Sequence, residues 1–596
     1  MTLSSLSIQD LLRSRRRLRR ELSTQENLRL IRIAVLGGST TNEFVDLLEI
    51  HLLDAGFDPV IRQSEYGQFY EEAVHNIAEL KAFAPDIVYL HTSCKNVLAM
   101  PSIAATDDEL AASVAEELGR YRQIWSSLQS GLTCQIIQNN FELPQHNFLG
   151  NLDAVIAGGS TRYYLALNAA FAQEASGNPR LVLQDVLSLS AQLGIINWFD
   201  SQRWFSYKLL LTVEANVLLA RSLTSLIRAT YGLSRKVLVL DLDNTIWGGV
   251  IGDDGVDRIQ IGRETPVAEA FTAFQEYCLK LRERGVLLAV CSKNDDETAR
   301  SGFRHPDSVL RLQHISAFRA NWNPKHENII SLAQELNLGT DSFVFADDNP
   351  AERAIVAANV PGIAVPELGS NPANYISILQ AGRYFEPISL SQDDMARATQ
   401  YAGNLQRAAA QTAFADYGEY LDSLEMIAEV ERFRTIYLDR ITQLTNKTNQ
   451  FNLTTRRYTL AEMEKIQVDP SFIGIYGRLA DRFGDNGIVS VVLGRQDGSD
   501  LYLDLWLMSC RVLKRDMELA MLDALVNEAR MADVQTIVGV YIPTKKNAMV
   551  ADFYEKIGFE RVSTAPDGST TYKIDVSGYR SQNTHIRTKE MSVTNE

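Results

Sequence analysis

Short apolar runs alternate with amphipathic segments of helical length along most of the chain. Three early runs have the length of buried strands: Ile31–Leu36, Ile87–Leu90 and Gln135–Ile137. Apolar positions then recur with a helical period over residues 205–230, and Gly232 follows as a helix C-cap. Alternating strands and helices build parallel sheets covered on both faces, so this pattern predicts an α/β fold.

The pattern divides the chain into successive parts. They are a basic N-terminal helix (1–30), an α/β domain (31–232), a second α/β domain (233–385), a helical connector (386–430), an α+β domain (431–575) and a polar tail predicted to be disordered (576–596). The second α/β domain has strands that are apolar on both faces, as buried parallel strands are. These strands are Val237–Leu240, Val286–Val290, Phe343–Ala346 and Ile363–Val365.

Composition excludes several classes of function. The chain has 596 residues with 58 Lys and Arg against 74 Asp and Glu, a formal net charge of −16, whereas a general nucleic-acid binder needs a basic face. No apolar stretch reaches the ~20 residues of a membrane-spanning helix, and the N-terminus lacks the apolar core of a secretory signal. We therefore expect a cytoplasmic protein. The arginines of residues 13–20 indicate either a solvated helix or a docking site for an acidic partner.

The residues after Val237–Leu240 carry the strongest chemical signal. Asp241 and Asp243 follow a buried strand at its carboxyl end, where open α/β sheets bind ligands. Two such carboxylates repel each other unless a cation relieves them, and Mg²⁺ accepts a few oxygen ligands together with a substrate phosphate. This pattern predicts Asp241 as nucleophile and Mg²⁺ ligand. It predicts Asp243 as general acid and base, with its backbone carbonyl on the metal.

Further residues resemble, in chain order, the motif set of the haloacid dehalogenase (HAD) superfamily. Ser292 ends the next apolar strand, Lys325 lies in NWNPKHENI, and Asp347 and Asp348 follow the run FVFA. The resemblance implies that Ser292 hydrogen-bonds the transferred phosphoryl group and that Lys325 neutralises it. Asp347 and Asp348 would anchor Mg²⁺.

The stretch DLDNTIWGGVIGDDG, together with CSKN, NWNPKHENI and FADDNPAER, is similar to the FkbH-like family of HAD proteins, of the HAD-IIIC type. The resemblance implies a glyceryl transferase/phosphatase of polyketide-type biosynthesis. Such an enzyme dephosphorylates 1,3-bisphosphoglycerate, a three-carbon phosphorylated acyl donor, and loads glyceryl onto the phosphopantetheine thiol of an acyl carrier protein. Two alternatives stay open: a stand-alone phosphatase on a small phosphometabolite, and a non-catalytic module that binds the carrier.

The glycine-rich loop after Asp243 is predicted to lie over a small substrate. Gly248 and Gly249 permit the tight turn that such a loop needs. We expect Thr245, Trp247 and Asn294 to complete the substrate contacts.

A covalent acyl transfer would need a reactive cysteine. Five cysteines are scattered without a Cys-x-x-Cys pair, which excludes a zinc finger or a disulfide framework. Cys291, beside Ser292, is the first candidate because a nearby cation would lower its pKa, although strand alternation can turn it into the core. Cys510, next to Arg511 at another strand end, is the second candidate. The other three cysteines are predicted to be core residues.

The flanking domains resemble two further families. Residues 547–559, NAMVADFYEKIGF, are similar to the end of a GNAT acetyltransferase, but the stretch RVLKRD lacks the glycines of that family's pyrophosphate loop. The groove could instead take a phosphopantetheine arm. GGST at residues 37–40 resembles an SGNH hydrolase, yet Arg203 stands where that family has its histidine. The resemblances together imply an SGNH-like doubly wound sheet that is not catalytic, a HAD Rossmann-like domain and a GNAT-like α+β domain.

Overall fold

The structure is a computed structural model that describes residue 3 and residues 6–411, 413–448, 450–544 and 546–589. The chain divides into two compact units. The first comprises residues 1–228 with 459–462, and the second comprises residues 229–458 with 463–596. Within the described ranges, no helix combines the length and the apolar character that crossing a lipid bilayer requires.

A five-stranded parallel sheet forms the first unit, in the order β2-β1-β3-β4-β5 of a doubly wound fold. Its strands are β1 (Arg29–Gly37), β2 (Phe57–Gln63), β3 (Ile87–His91), β4 (Gln135–Asn139) and β5 (Leu181–Gln184). The α-helices of this part of the chain are α1 (Ile8–Ser23), α2 (Asn42–Asp54), α3 (Phe69–Val74), α4 (Ile77–Phe83), α5 (Asp107–Gly131), α6 (Ser160–Ser176), α7 (Val186–Leu193), α8 (Ile195–Trp198), α9 (Ser201–Tyr207) and α10 (Val213–Thr230). Every residue of β3 is buried, as expected of a strand covered on both faces.

The helix predicted over residues 205–230 is in fact two helices. Lys208 ends α9 with φ of 57°, in the left-handed region, and its N–H donates to the carbonyl of Trp204. The hydroxyl of Thr212 then caps the first turn of α10, which begins at Val213. A left-handed residue cannot continue a right-handed helix, so the helical period alone joined two elements wrongly.

The second unit contains a four-stranded parallel sheet in the order β8-β7-β6-β9. Its strands are β6 (Val237–Leu240), β7 (Leu287–Ser292), β8 (Ile315–Ala320) and β9 (Phe343–Ala346). The α-helices here are α11 (Ile251–Asp254), α12 (Pro266–Glu283), α13 (Asp296–Gly302), α14 (Lys325–Glu335), α15 (Pro350–Asn359) and α16 (Tyr375–Ala381). Leu238 and Leu240 belong to one buried cluster, and Val237 and Val239 to another. Both faces of the sheet are therefore apolar, and its polar side chains collect at the strand ends.

The same unit contains an eight-stranded sheet in the order β15-β16-β14-β13-β12-β11-β10-β17, mostly antiparallel. Its strands are β10 (Ile427–Arg432), β11 (Phe472–Asp481), β12 (Gly484–Asp497), β13 (Asp500–Met508), β14 (Thr536–Tyr541), β15 (Glu560–Thr564), β16 (Thr570–Asp575) and β17 (Arg587–Thr588). The remaining α-helices are α17 (Gln392–Gln411), α18 (Tyr417–Ser423), α19 (Leu438–Lys447), α20 (Leu460–Val468), α21 (Met517–Met531) and α22 (Phe553–Lys556). A Cβ on Gly477 of β11 would lie 2.3 Å from the Met517 side chain, so glycine lets α21 pack closely on the sheet.

Three expectations from the sequence are wrong in detail. Ile363–Val365 is not a strand, because only Ala364 forms a bridge, to Val344. The predicted connector 386–430 already contains the start of β10, and the predicted disordered tail 576–596 contains β17, which pairs with β10. Residues 590–596 of that tail lie outside the described residues. The β10–β17 pairing joins distant segments, which no local pattern reveals.

Candidate active site

Three neighbouring strands of the four-stranded sheet end in residues that the sequence analysis singled out. Asp241 follows β6, Ser292 is the last residue of β7, and Asp347 follows β9. Since β6 lies between β7 and β9 and all three run parallel, their carboxyl ends meet at one edge of the sheet. The N–H of Asp241 donates to the carbonyl of Ala346 at 3.0 Å, which fixes the end of β6 against the end of β9.

The predicted acidic residues and the predicted lysine share one pocket. Carboxylate oxygens of Asp241, Asp347 and Asp348 lie within 4.8 Å of one another. Nζ of Lys325, the first residue of α14, lies 2.9 Å from Oδ1 of Asp241 and 2.6 Å from Oδ2 of Asp347. Asp241, Lys325 and Asp347 are buried, and Asp348 is half-buried. This is the juxtaposition that the motif order led us to expect.

Burial and like charge dominate the electrostatics of this pocket. Burial raises the pKa of Asp241 to about 6, and the neighbouring carboxylate of Asp347 adds to the rise although Lys325 opposes it. Burial also raises the pKa of Asp347 and that of Asp348. Burial alone would lower the pKa of Lys325, but the two carboxylates beside it outweigh that effect and hold it above its usual range. The pocket therefore has more negative charge than its one ammonium neutralises.

The donor set fits a hard divalent cation. Three carboxylates that face one ammonium repel one another, and a cation relieves that repulsion. Mg²⁺ prefers a small number of such oxygen donors and takes its other ligands from water and substrate phosphate. Asp241, Asp347 and Asp348 are the side chains that would hold it.

Asp243 lies outside this carboxylate cluster and is oriented by N–H donors. Its Oδ1 accepts hydrogen bonds from Nε1 of Trp247 at 2.9 Å and from the N–H of Ile251 at 3.0 Å. Its Oδ2 accepts from Nδ2 of Asn294 at 2.8 Å. A metal contact through its carboxylate is therefore not supported, and the contact through its backbone carbonyl stays a prediction.

Thr245 and Asn294 support the acidic residues through hydrogen bonds. The side chain of Thr245 is fully buried, and its hydroxyl accepts from the N–H of Asp348 at 3.2 Å. Asn294 is also buried, and its Nδ2 donates to Oγ of Ser292 at 3.2 Å as well as to Asp243. Both side chains thus bond to the aspartates and Ser292, and the direct substrate contacts predicted for them stay a prediction.

The loop after Asp243 is built partly from residues that were expected to contact substrate. The ring of Trp247 is fully buried and meets Phe303 edge-on at a centroid distance of 5.7 Å. Gly248 is buried as well, and a Cβ there would lie 2.8 Å from the Phe271 ring. Trp247 and Gly248 thus pack into the protein core, and the substrate contacts predicted for them stay a prediction. Gly249, half-buried with φ of 91°, supplies the left-handed turn, and its substrate contact stays a prediction.

Cys291 is not placed to carry an acyl group. Its side chain is fully buried in the cluster that contains Val239 and Ile329, and its Sγ lies 3.6 Å from the carbonyl oxygen of Lys325. Burial raises the pKa of this thiol, which is the opposite of activation. The first candidate for a covalent role is therefore wrong, because strand alternation turns the thiol into the core.

Cys510 lies in a different part of the second unit. It begins a short 3₁₀ turn, Cys510–Val512, after β13, and its Sγ lies 3.3 Å from the hydroxyl oxygen of Tyr401. Its thiol is half-buried and lines a cavity of about 270 Å³. The structure thus brings Asp241, Ser292, Lys325 and the acidic pair to one sheet edge, while Cys510 belongs to a separate cavity.

Two residues that hold the site had no role in the sequence analysis. Nη1 of Arg353 donates to the backbone carbonyls of Asp347 and Asp348, both at 2.8 Å. The hydroxyl of Tyr375 donates to the carbonyl of Asn244 at 3.0 Å. Arg353 lies within FADDNPAER, one helical turn into α15, so its closeness to Asp347 was a usable signal. Tyr375 is distant in sequence from Asn244, so no sequence signal pointed to its role.

Comparison with known proteins identifies the family. The model of the FkbH N-terminal domain matches residues 32–228. A crystal structure of the N-terminal part of the protein BF1531 from Bacteroides fragilis, described as containing a phosphatase domain complexed with Mg, aligns at 30% identity with a TM-score of 0.59. That alignment covers 63% of this chain and 99% of that one. The chain belongs to the FkbH-like family. The phosphatase domain named for the B. fragilis protein supports a HAD-type assignment for this FkbH-like chain.

Other comparisons add little for this FkbH-like protein. No curated protein matches the sequence. Structures of ribosomal-protein-S18-alanine N-acetyltransferase from Escherichia coli and of a GNAT-family acetyltransferase from Staphylococcus aureus Mu50 align at 12% identity and TM-scores of 0.21. They cover 26% and 25% of this chain and 99% of each of their own. Likenesses of this size carry no argument, so the GNAT-like and SGNH-like assignments stay predictions.

Proposed function

We propose that this FkbH-like protein is a Mg²⁺-dependent HAD-type phosphatase that takes part in glyceryl transfer to an acyl carrier protein. The observation that carries the proposal is the cluster of Asp241, Asp347 and Asp348 around Lys325 at one sheet edge. The Mg complex of the similar B. fragilis protein supports the choice of metal. All five cysteines are free, as in a reducing compartment, which supports a cytoplasmic location.

The proposed hydrolysis uses two aspartates in turn. An oxygen of Asp241 attacks phosphorus, the bond from phosphorus to the leaving oxygen breaks, and Asp243 donates a proton to that oxygen. Asp243 then takes a proton from water, whose oxygen attacks the aspartyl phosphate and releases inorganic phosphate. Lys325 and Ser292 stabilise the charge on the phosphoryl oxygens. When bound, Mg²⁺ supplies further charge neutralisation for those oxygens.

An acyl phosphate such as 1,3-bisphosphoglycerate loses its phosphates in two different ways in this proposal. A thiol attacks the acyl carbon, the bond from that carbon to the phosphate oxygen breaks, and a thioester forms. The remaining phosphate is an ester, which Asp241 removes by hydrolysis without wasting the activated acyl group. The thiol belongs to the phosphopantetheine arm of the carrier, with Cys510 as the candidate for an intermediate holder.

Intact-mass analysis tests the proposal. The protein is incubated with Mg²⁺, 1,3-bisphosphoglycerate and a phosphopantetheinylated carrier, and both phosphate and the carrier mass are measured. We expect phosphate release together with a glyceryl mass gain on the carrier. Phosphate release with no mass gain favours a stand-alone phosphatase on a small phosphometabolite. Carrier binding with neither change overturns the enzymatic proposal and indicates a binding module.

A further inference from the structure

The cavity beside Cys510 is strongly basic although the chain as a whole is acidic. It has a volume of about 270 Å³ and is lined by residues of α17, α19, the turn after β13 and the segment before β6. These elements place the side chains of Arg397, Arg440, Lys447, Arg511 and Lys236 around it. The net charge of the chain is −16, so this concentration of cations is not an effect of composition.

Two described aspartates near the cavity pair with cations that line it. Asp394 forms an ion pair with Arg397, lies 3.3 Å from Nζ of Lys447 and lies 4.0 Å from Arg440. Asp341, which also lines the cavity, forms an ion pair with Lys546. Asp394 thus lies close to three cations on one side of the cavity.

Lys236 and Arg511 have no carboxylate within ion-pair distance among the side chains that the structure describes. Nζ of Lys236 donates to the carbonyl of Lys447 at 3.3 Å. Nε of Arg511 donates to Oγ of Ser509 at 3.2 Å, and its Nη1 donates to the side chain of Gln400. Arg511 is 7% exposed. A buried cation with only neutral partners is stabilised when an anion enters the adjacent space.

The titration of these groups agrees with that excess of positive charge. Burial lowers the pKa of Lys236 and lowers that of Arg511 to about 10, with Arg440 and Arg397 adding to the latter effect. Burial, opposed by Asp394 and assisted by two arginines, lowers the pKa of Lys447 to about 8. An anion in the cavity would oppose all three shifts by favouring the charged forms.

We propose that this cavity binds the phosphate group of a small phosphorylated ligand. Guanidinium and ammonium groups are the side chains that recognise phosphate, and Arg511 is held in a fixed position by Ser509 and Gln400. The volume lies just below the roughly 300 Å³ at which pockets for drug-sized ligands begin, so it suits a compact phosphate ester. The cavity shares no lining residue with the Asp241 cluster. The inference therefore holds whether or not that cluster hydrolyses phosphate.

Cys510 provides a reporter within the cavity. The other four cysteines are buried, so a neutral alkylating reagent reacts first with Cys510. The experiment measures the rate at which iodoacetamide alkylates Cys510 in the intact protein. A chelator is present because, without Mg²⁺, the aspartate cluster repels phosphate and does not bind it. We expect saturating inorganic phosphate to slow alkylation about tenfold relative to chloride at equal ionic strength.

Variants and ligands sharpen the test. Lys236→Gln and Arg511→Gln should each remove most of the protection, and Lys280→Gln, at an exposed lysine of α12, should keep it. If Arg511→Gln fails to fold, Lys236→Gln decides.

The source of the phosphate group is tested with different ligands. Protection by phosphopantetheine but not by pantetheine indicates a carrier arm as the source. Protection by 3-phosphoglycerate but not by phosphopantetheine indicates a free metabolite. The proposal is overturned if phosphate slows alkylation no more than chloride does, or protects Lys236→Gln as well as the native protein.

Discussion

The two parallel sheets of this protein end in opposite kinds of polar surroundings. In the first unit, the hydroxyl of Tyr89 donates to Oδ1 of Asn139 at 2.8 Å, and Nε2 of Gln138 donates to Oγ1 of Thr92 at 2.8 Å. These groups are neutral and satisfy one another. In the second unit, the corresponding strand ends carry the carboxylates around Lys325, whose charges are not balanced.

Ionisable groups follow the same division. Burial lowers the pKa of His91, at the end of β3, to about 4, so that its imidazole is neutral at physiological pH. Burial raises the pKa of Glu142, shortly after β4, to about 7. The two sheet edges thus differ in how many charges they bring together, since three carboxylates and one ammonium share a pocket only at the second of these two edges. Fold alone does not assign function, but an uncompensated cluster at the ligand-binding edge does point to it.

The largest expected effect is the loss of turnover in Asp241→Asn. Removing the nucleophile should lower the rate of phosphate release by about 10⁴-fold or more, while far-UV circular dichroism stays unchanged. The matched control is Ser39→Ala, at the corresponding strand end of the first unit, which should leave the rate unchanged. Equal losses in both variants would remove the distinction between the two sheets.

Lys325→Met should destabilise the metal-free protein by about 3–5 kcal/mol, because it leaves buried carboxylates without their counter-ion. The measurement is chemical denaturation in the presence of a chelator. Lys280→Met, at an exposed lysine, should change stability by less than about 0.5 kcal/mol. A Lys325→Met protein as stable as the native one would show that the carboxylates do not repel one another strongly enough to need this ammonium group.

Mg²⁺ should stabilise the protein more at pH 8 than at pH 5. The pKa of Asp241 is raised from 3.8 to about 6 on folding, so the folded state binds the proton more tightly and this group costs stability as pH rises through that interval. At pH 8 the carboxylate of Asp241 is ionised and free to bind Mg²⁺, whereas at pH 5 Mg²⁺ must displace a proton from it. The stabilisation by Mg²⁺ should therefore be about 1.4 kcal/mol larger at pH 8 than at pH 5. Thermal unfolding with and without saturating Mg²⁺ measures it. In Asp241→Asn, where Asp347 and Asp348 still titrate with raised pKa values, the Mg²⁺ effect should depend less on pH than in the native protein. An equal Mg²⁺ effect at the two pH values in the native protein would contradict the assignment of Asp241 as a ligand.

The smallest expected effect concerns the neutral network of the first unit. Tyr89→Phe leaves Oδ1 of Asn139 without its buried donor and should cost about 1–2 kcal/mol in denaturation experiments, with phosphate release unchanged. Tyr70→Phe removes an exposed hydroxyl bonded to Gln123 and should cost less than about 0.5 kcal/mol. A change in turnover on Tyr89→Phe would mean that the first unit takes part in the chemistry.

Much of the sheet architecture was predictable because its strands are apolar on both faces. The bounds of β6 and β9 match the predicted Val237–Leu240 and Phe343–Ala346. The strand β8 was missed, because Ser316 and Arg319 interrupt its apolar run, and the pairing of β17 with β10 depends on contacts between distant segments.

The acidic site was predictable for a related reason, and its supporting residues were not. Residues at the carboxyl ends of neighbouring parallel strands must converge, so Asp241 and Asp347 could be joined from chain order. Lys325 begins α14 and was assigned through the resemblance to the HAD superfamily. From the sequence, a tryptophan beside glycines suggested a substrate contact. In the structure, Nε1 of Trp247 donates to Asp243. This bond depends on the rotamer of Trp247, which is set by packing of the loop and not by the local sequence. Local sequence thus locates charges better than it locates the side chains that orient them.

The hydrogen bonds from Arg353 to two consecutive carbonyls have a consequence for how this protein can diverge from its relatives. A flip of the peptide plane between Asp347 and Asp348 would break the bond from Arg353 to the Asp347 carbonyl and the bond from the Asp348 N–H to the Thr245 hydroxyl. The plane between Gly248 and Gly249 is held in the same way, because the Gly248 carbonyl accepts from the N–H of Gln260 at 2.8 Å and the N–H of Gly249 donates to Oδ1 of Asn244 at 3.0 Å. New substrate preferences should therefore arise by exchange of side chains around these two fixed planes, with the backbone inherited unchanged.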